Sequence, residues 1–484
     1  MKALMDTRTK IVATLGPASE SPEVLDRMIS AGVDVIRLNL SHGHVDDHVA
    51  RVAKIRAAAA RVNRVVAVLA DLPGPKVRSG PCPPEGIDLR PGAPLLLVSD
   101  TNDGASVPGR MTVDYATLID DLNEGDRVVI GDGAISLTVL FNDEVGAHCR
   151  VDTGGVARGR PGVHLPSERL RLSTPTEEDI ELARVMVDAG ADFLAVSFVK
   201  AANDLRVMRL ALKPDKVRLI AKIETMAAVA DLEAILEEAD AVMVARGDLG
   251  IECPLEDVPH LQKQIIRSCI EVGVPVITAT QVMESMITAP SPTRAEVGDI
   301  ANAVFDGTDA LMLSAETAVG IDPVAVVDTM NRVAGRAERE ASYSKWADRL
   351  GRTQRRQWPH GPDRITMALT HAAGMAAVDA GADAILCCTH SGRTVQAMAR
   401  FRPTPKLISL SPDPGTVRAM ALSWGVVSLQ VDTYANTDDM VWYAVEGAVR
   451  AGHVHPGQTV LVLAGAPQQQ SGASTDVLRI VRIH

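Results

Sequence analysis

The chain has 484 residues, 46% of them apolar and 23% charged, which is ordinary for a globular protein and long enough for about three domains. Its 49 basic and 61 acidic residues give a net charge of −12, which excludes nucleic acid as the main partner but leaves room for a locally basic cleft that takes phosphorylated small molecules. The start MKALMDTRTK lacks the apolar core of a signal peptide, no run approaches membrane-spanning length, and cysteines 82, 149, 253, 269, 387 and 388 form no Cys-x-x-Cys or metal spacing, so a cytoplasmic protein with no membrane partner is expected.

In chain order, eight short runs read as strands: 9–16 (TKIVATLG), 33–40 (VDVIRLNL), 65–72 (VVAVLADL), 191–198 (ADFLAVSF), 217–224 (VRLIAKIE), 241–248 (AVMVARGD), 275–281 (PVITATQ) and 310–317 (ALMLSAET). They are apolar on both faces, as strands of a covered parallel sheet are. Amphipathic segments such as TEEDIELARVMVDAG separate them. Eight strands alternating with helices close a (β/α)₈ barrel; an open sheet is the alternative.

The interval after the third run is too long for one crossover. Residues 73–173 are rich in Gly and Pro and carry short β-like runs such as APLLLVSD, DRVVIGDG and ISLTVLF. They read as a small inserted β-barrel or β domain, a lid over the mouth. The catalytic barrel is then 1–72 with 174–342. The polar stretch 343–362 reads as a linker, and a second βα series at 356–484 reads as an open α/β domain.

Polar residues at the C-terminal ends of barrel strands are candidates for chemistry. Run two ends in Arg37, Asn39 and Ser41 on one face, and run three in Asp71. Run five carries Lys222 and Glu224, run six Arg246 and Asp248, run seven Thr278 and Thr280, and run eight Ser314 and Glu316. Each alone is an ordinary strand end; together they mark a site. Glu224 and Asp248 are hard oxygen ligands without Cys or His beside them, which suits Mg²⁺ or Mn²⁺. Lys222, with Arg37 and Arg78 opposite, makes an anion clamp for a phosphoryl group. Lys222 as a Schiff-base amine is the alternative, disfavoured because the neighbouring carboxylates and a divalent cation keep it protonated.

Two other clusters invite a reading. His42, His44, Asp47 and His48 have the residue types of a zinc site, but His44 and His48 are expected on the exposed face of the helix after strand two. CCTHSGRTVQ, with Thr389, Ser391, Gly392, Arg393 and Thr394, is a strand, a turn and a helix start; it suits either a phosphate or a plain helix cap. There is no Gly-x-x-x-x-Gly-Lys-Ser/Thr loop.

The segments KIVATLGPAS, VIRLNLSHG, LIAKIET, VMVARGDLGIE, ITATQVMESM, PTRAEVGDIANAVFDGTDALMLSAET and THSGRT closely resemble pyruvate kinases, in order, from about residue 9 to the C-terminus. The resemblance implies a barrel with an inserted lid and a C-terminal α/β domain, assembled as a homotetramer. It implies phosphoryl transfer from phosphoenolpyruvate to ADP, giving pyruvate and ATP. Lys222 then matches the transition-state lysine, Glu224 and Asp248 the metal ligands, Arg37 the substrate-phosphate arginine and Arg78 a phosphate contact. Gly247, Asp248 and Thr280 match substrate contacts, with Ser314 and Glu316 behind Thr280 where the enolate is protonated. Asn39, Leu40, Ser41 and His42 match a nucleotide-contacting stretch. Loop 389–394 is left open between a site for a phosphorylated allosteric effector (a sugar bisphosphate, a sugar monophosphate or AMP) and no regulatory ligand.

The chain departs from the common pattern after strand three. Many members read Asp-Thr-Lys-Gly-Pro-Glu there and require K⁺, whereas this chain reads Asp71-Leu72-Pro73-Gly74-Pro75-Lys76. The expected K⁺ ligands Asn39, Ser41 and Asp71 are present, Leu72 replaces the threonine, and Lys76 replaces the glutamate. A tethered ammonium there is expected to stand in for K⁺. Ala315 stands where glycine is common. The rival readings are another Mg²⁺ barrel enzyme acting on pyruvate or its enolate, which would lack the lid and C-terminal domain, and a catalytically dead metabolite sensor, which would have lost one of Lys222, Glu224, Asp248 or Thr280.

Overall fold

Eight parallel strands close on themselves in sequence order: Lys10–Thr14, Val35–Asn39, Ala67–Asp71, Phe193–Val196, Arg218–Ile223, Ala241–Ala245, Val276–Ala279 and Ala310–Leu313. They are called strands one to eight below. The computed structural model describes residues 7–484 except 101, 103, 132, 134, 168–169, 342, 344–349, 351–361, 434–435 and 466–474. The expected linker at 343–362 therefore falls almost wholly outside the described residues.

The strands are continuous apolar runs because helices cover them outside and side-chain layers fill them inside. The helices are well delimited. Those at Glu177–Asp188 and Arg294–Asp306 open with capping boxes from Thr176 and Thr293, and the latter stops at Gly307 in the left-handed region.

The base of the barrel follows a rule of its own. An aspartate immediately precedes every even strand: Asp34, Asp192, Asp240 and Asp309. Each carboxylate accepts a backbone N–H from the odd strand before it, from Ile11 (3.0 Å), Val68 (2.8 Å), Leu219 (2.9 Å) and Val276 (3.0 Å). Each also meets a cation: Lys10 at 3.4 Å, Arg56 at 2.6 Å, Arg209 at 3.0 Å and Arg402 at 2.8 Å. These bonds satisfy donors at the strand starts and hold neighbouring strands in register.

The segment after strand three forms a six-stranded sheet in the order Val163–His164, Arg127–Ile130, Ile135–Asn142, Ala147–Thr153, Pro94–Ser99 and Arg110–Val113, plus a ribbon of Ile87–Leu89 with Gly155–Ala157. Bridges from Arg78 to Gly162 and from Ser79 to Val113 tie one short segment to both edges, so the sheet curls almost shut. It has a separate core around Leu97, Val113, Leu137 and Val139.

The C-terminal sheet runs Val426–Gln430, Lys406–Ser411, Ala384–Cys388, Thr459–Gly465 and Thr475–Arg482, with the last strand antiparallel. That last strand is an addition to the expected series. This part docks on the barrel base: Arg402 pairs with Asp309, Arg418 meets Asp192 at 2.7 Å, and Lys10 donates to the Val426 carbonyl at 3.0 Å.

Candidate active site

The C-terminal ends of strands two, three, five and six bring the sequence-selected charges into one cluster. Asp71, 1% exposed, lies between two cations: Arg37 Nη2 is 2.6 Å from its Oδ2, and Lys222 Nζ is 3.2 Å from its Oδ1. Arg37 also donates to Thr14 Oγ1 at 3.0 Å. Lys222 Nζ continues to Glu224 Oε1 at 2.9 Å and to Ser197 Oγ at 2.6 Å. Glu224 Oε2 accepts the Phe198 N–H at 2.6 Å.

Burial and charge oppose each other here. Burial alone would depress the Lys222 ammonium, but Asp71, Glu224 and Asp248 outweigh it and hold the group above its usual range. Burial would raise Asp71, but Lys222 and Arg37 keep it below the usual carboxylate range. Glu224 goes the other way: burial, joined by Asp248, outweighs Lys222 and pushes it up to about 7. A fully buried carboxylate raised in this way favours a cation beside it. An amine held charged is unsuited to Schiff-base chemistry.

Asp248 is half-buried in the first turn of helix Arg246–Glu252, directly after strand six. Its charge acts on Lys222, Glu224 and Lys76 alike. Glu224 and Asp248 thus offer hard oxygens from adjacent strands, a donor set that fits Mg²⁺ or Mn²⁺ with water and substrate oxygens completing the shell. Arg246 points elsewhere, pairing with Asp299 at 2.7 Å and donating to the Thr280 carbonyl at 2.7 Å.

That clamp shapes the end of strand seven. Thr280 and Gln281 have φ of 67° and 53°, the left-handed region that a β-branched residue adopts only when its surroundings impose it. Thr280 Oγ1 accepts the Gly247 N–H at 2.8 Å and donates to the Ala279 carbonyl at 2.7 Å. Glu316, 3% exposed, accepts backbone N–H groups from Met283 (3.1 Å) and Ser314 (2.7 Å). No hydrogen bond joins Thr280 to Ser314 or Glu316 among the described residues. Thr278 lies away from the mouth, donating to Thr308 Oγ1 at 3.0 Å. Ala315 opens the short helix Ala315–Ala318, and nothing around it explains its place there.

The stretch after strand two curls over the same mouth. Ser41 N–H donates to Asn39 Oδ1 at 3.3 Å, and Lys76 Nζ donates to Ser41 Oγ at 2.8 Å. Burial, Lys222 and Arg78 lower Lys76, while Asp248 and Asp71 pull the other way. The Leu40 side chain is buried, and its N–H donates to the Asp71 carbonyl at 3.0 Å. The Leu72 carbonyl accepts from Ser197 Oγ at 2.7 Å. Arg78 is half-buried and donates to the Arg160 carbonyl at 3.4 Å.

The expected exposed pair His44 and His48 needs correcting. His44 is exposed, but His48 is 3% exposed and bonds through Nε2 to the His42 carbonyl at 2.8 Å, because the helix Val45–Val62 turns that position inward. No group of three or more His, Cys, Asp or Glu is placed to share a metal among the described residues. In loop 389–394, Thr389 and Thr394 are buried, and Thr389 Oγ1 accepts the Gly392 N–H at 2.9 Å. Ser391 and Arg393 are exposed, and the Ser391 carbonyl accepts from Arg218 at 3.1 Å, at the start of strand five.

Sequence reading missed Ser197 and Thr14. Neither is charged, and Ser197 sits inside the apolar run ADFLAVSF, so only its position at a strand end could have marked it.

Two family descriptions match the chain: "Pyruvate kinase, barrel domain" over residues 6–327 and "Pyruvate kinase, alpha/beta domain" over residues 367–481. The chain belongs to the pyruvate kinase family. It is 40% identical over 481 residues to a pyruvate kinase of Geobacillus stearothermophilus, covering 98% of this chain and 80% of the relative. It is 36% identical over 480 residues to one of Clostridium acetobutylicum, covering 98% and 99%. It is also 37% identical over 481 residues to one of Staphylococcus aureus, covering 98% and 80%. The chain is a phosphotransferase, and its reaction is that of the family, from phosphoenolpyruvate and ADP to pyruvate and ATP, the last step of glycolysis. No helix among the described residues is long and apolar enough to cross a membrane.

Proposed function

We propose that Lys222 and Arg37 meet the transferring phosphoryl group, with Arg78 as a further phosphate contact, and that Gly247, Asp248 and Thr280 bind the substrate. Asn39, Leu40, Ser41 and His42 receive the nucleotide, Leu40 through its backbone. The observation that carries this reading is the Lys222 ammonium, held charged by Asp71 and Glu224 in the same cluster as Arg37. The bond from the enol oxygen to phosphorus breaks, and a bond forms from the terminal phosphate oxygen of ADP. Fixed cations stabilise the charge on the phosphoryl oxygens and the departing enolate, and cost no reorganisation during the step. The enolate then takes a proton at its methylene carbon on the side of Thr280, Ser314 and Glu316. Glu316 serves there by setting the backbone of Met283 and Ser314, since both its oxygens already accept N–H groups.

Glu224 and Asp248 would hold Mg²⁺ or Mn²⁺, which when bound supplies Lewis-acid neutralisation of phosphoryl charge. Lys76 takes over the role of K⁺, a reading supported by its bond to Ser41, one of the expected K⁺ ligands. We assign the catalytic barrel to 1–72 and 174–342, the lid to 73–173 and the effector domain to 356–484. The working form is a cytoplasmic homotetramer; exposed Trp442 and Tyr443 on helix Thr437–Arg450 support an assembling surface. Loop 389–394 takes a phosphorylated effector, a reading supported by exposed Ser391 and Arg393 and by the contact of Ser391 with Arg218.

The test is Lys222→Met. With phosphoenolpyruvate, ADP and Mg²⁺ it is expected to lose about a hundred- to a thousandfold in kcat, as loss of a main transition-state donor does. A variant that keeps most of its rate ends the assignment.

A further inference from the structure

Strand four contributes no acid or base to the rim, yet the residues after it grip Lys222 on strand five and Glu224 just beyond it. Ser197 is 1% exposed and lies between Asp71 on strand three and Lys222 on strand five. Its hydroxyl donates to the Leu72 carbonyl at 2.7 Å, leaving oxygen lone pairs to accept from Lys222 Nζ at 2.6 Å. The next residue, Phe198, gives its N–H to Glu224 at 2.6 Å with its backbone at φ 54°. A bulky residue holds that conformation only where the surroundings over-determine it.

An ammonium has three donors, and three acceptors surround this one: Ser197 Oγ, Glu224 Oε1 at 2.9 Å and Asp71 Oδ1 at 3.2 Å. Two carboxylates fix the charge but not its direction, because lysine is a point charge on a flexible stem. A third acceptor, itself pinned by a backbone carbonyl, removes the remaining freedom. Being neutral, it also accepts the Lys222 N–H less strongly than the carboxylates accept theirs, so that N–H is the one most readily turned to a substrate oxygen.

We propose that Ser197 is a positioning residue for phosphoryl transfer, its hydroxyl setting the direction of the Lys222 ammonium between Asp71 and Glu224. This rests on the reading of Lys222 as the group that meets the phosphoryl.

The test compares Ser197→Ala and Ser197→Cys, which keeps an atom at the γ position but a much weaker acceptor, with the wild type at saturating ADP and Mg²⁺, varying phosphoenolpyruvate and recording thermal unfolding alongside. Both variants are expected to lose about tenfold in kcat while KM stays within about twofold, because the charge of Lys222 and its ground-state attraction remain. An unchanged kcat in Ser197→Ala overturns the proposal, as does a wild-type kcat in Ser197→Cys alone, which would show that a filled γ position suffices without the hydroxyl acceptor. A loss expressed as raised KM together with lowered melting temperature also overturns it, in favour of a structural role. A wild type without turnover would instead overturn the phosphoryl-transfer reading itself.

Discussion

Lys222 and Asp71, from strands five and three, meet at 3.2 Å across the end of strand four. The other oxygen of Asp71 is held by Arg37 at 2.6 Å. One buried carboxylate therefore keeps two like charges close together at the mouth of the barrel, as the proposed contact of both with a doubly charged phosphoryl group requires.

Asp71→Asn is expected to destabilise the protein by about 3–5 kcal/mol, because it leaves Arg37 and Lys222 buried without their shared counter-charge. The acid limb of stability changes with it. Asp71 is held below the usual carboxylate range, so its stabilisation is fully present above the unfolded value and is lost as pH falls through the folded one. Urea unfolding of wild type and variant across acid pH should show a flatter limb in Asp71→Asn.

Glu224 is pushed up to about 7 by burial, with Asp248 adding to it. A divalent cation must then displace a proton below that pH, so Mg²⁺ affinity weakens as pH falls from 8 to 6 and binding releases protons. Calorimetric titration with Mg²⁺ in buffers of different ionisation enthalpy reads both effects. Equal affinity at the two pH values would contradict the raised carboxyl.

Arg402 and Asp309 form a buried ion pair at 2.8 Å, linking the C-terminal sheet to the base of strand eight. Arg402→Ala is expected to cost about 3–5 kcal/mol, since Asp309 loses its counter-charge. The double variant Arg402→Ala with Asp309→Asn should cost less than the sum of the single ones. Urea unfolding of all three decides it, and strict additivity would mean that the pair carries no coupling.

Much of this was legible in the sequence because barrel strands advertise themselves. Runs apolar on both faces marked all eight strands, and the charges that interrupt them, Lys222 and Glu224 above all, marked the site. The C-terminal strand Thr475–Arg482 escaped because it lies at a sheet edge, where Asp476, Arg479 and Arg482 break the apolar pattern. His48 was misplaced because the local pattern does not show which way the first turn of a helix faces. Ser197 escaped because its role depends on the ends of strands three and five, which only the closed barrel brings beside it. The aspartates before the even strands are visible in the sequence, but their bonds to the odd strands are not.

The most direct measurement is pyruvate formation from phosphoenolpyruvate, ADP and Mg²⁺ in K⁺-free buffer, repeated with saturating KCl. With the Lys76 ammonium on Ser41, the wild type is expected to run at full rate without K⁺ and to gain nothing from KCl, whereas Lys76→Glu should become K⁺-dependent. A wild type that turns over only when KCl is added would contradict the role given to Lys76, and one inactive in both buffers would contradict the catalytic assignment.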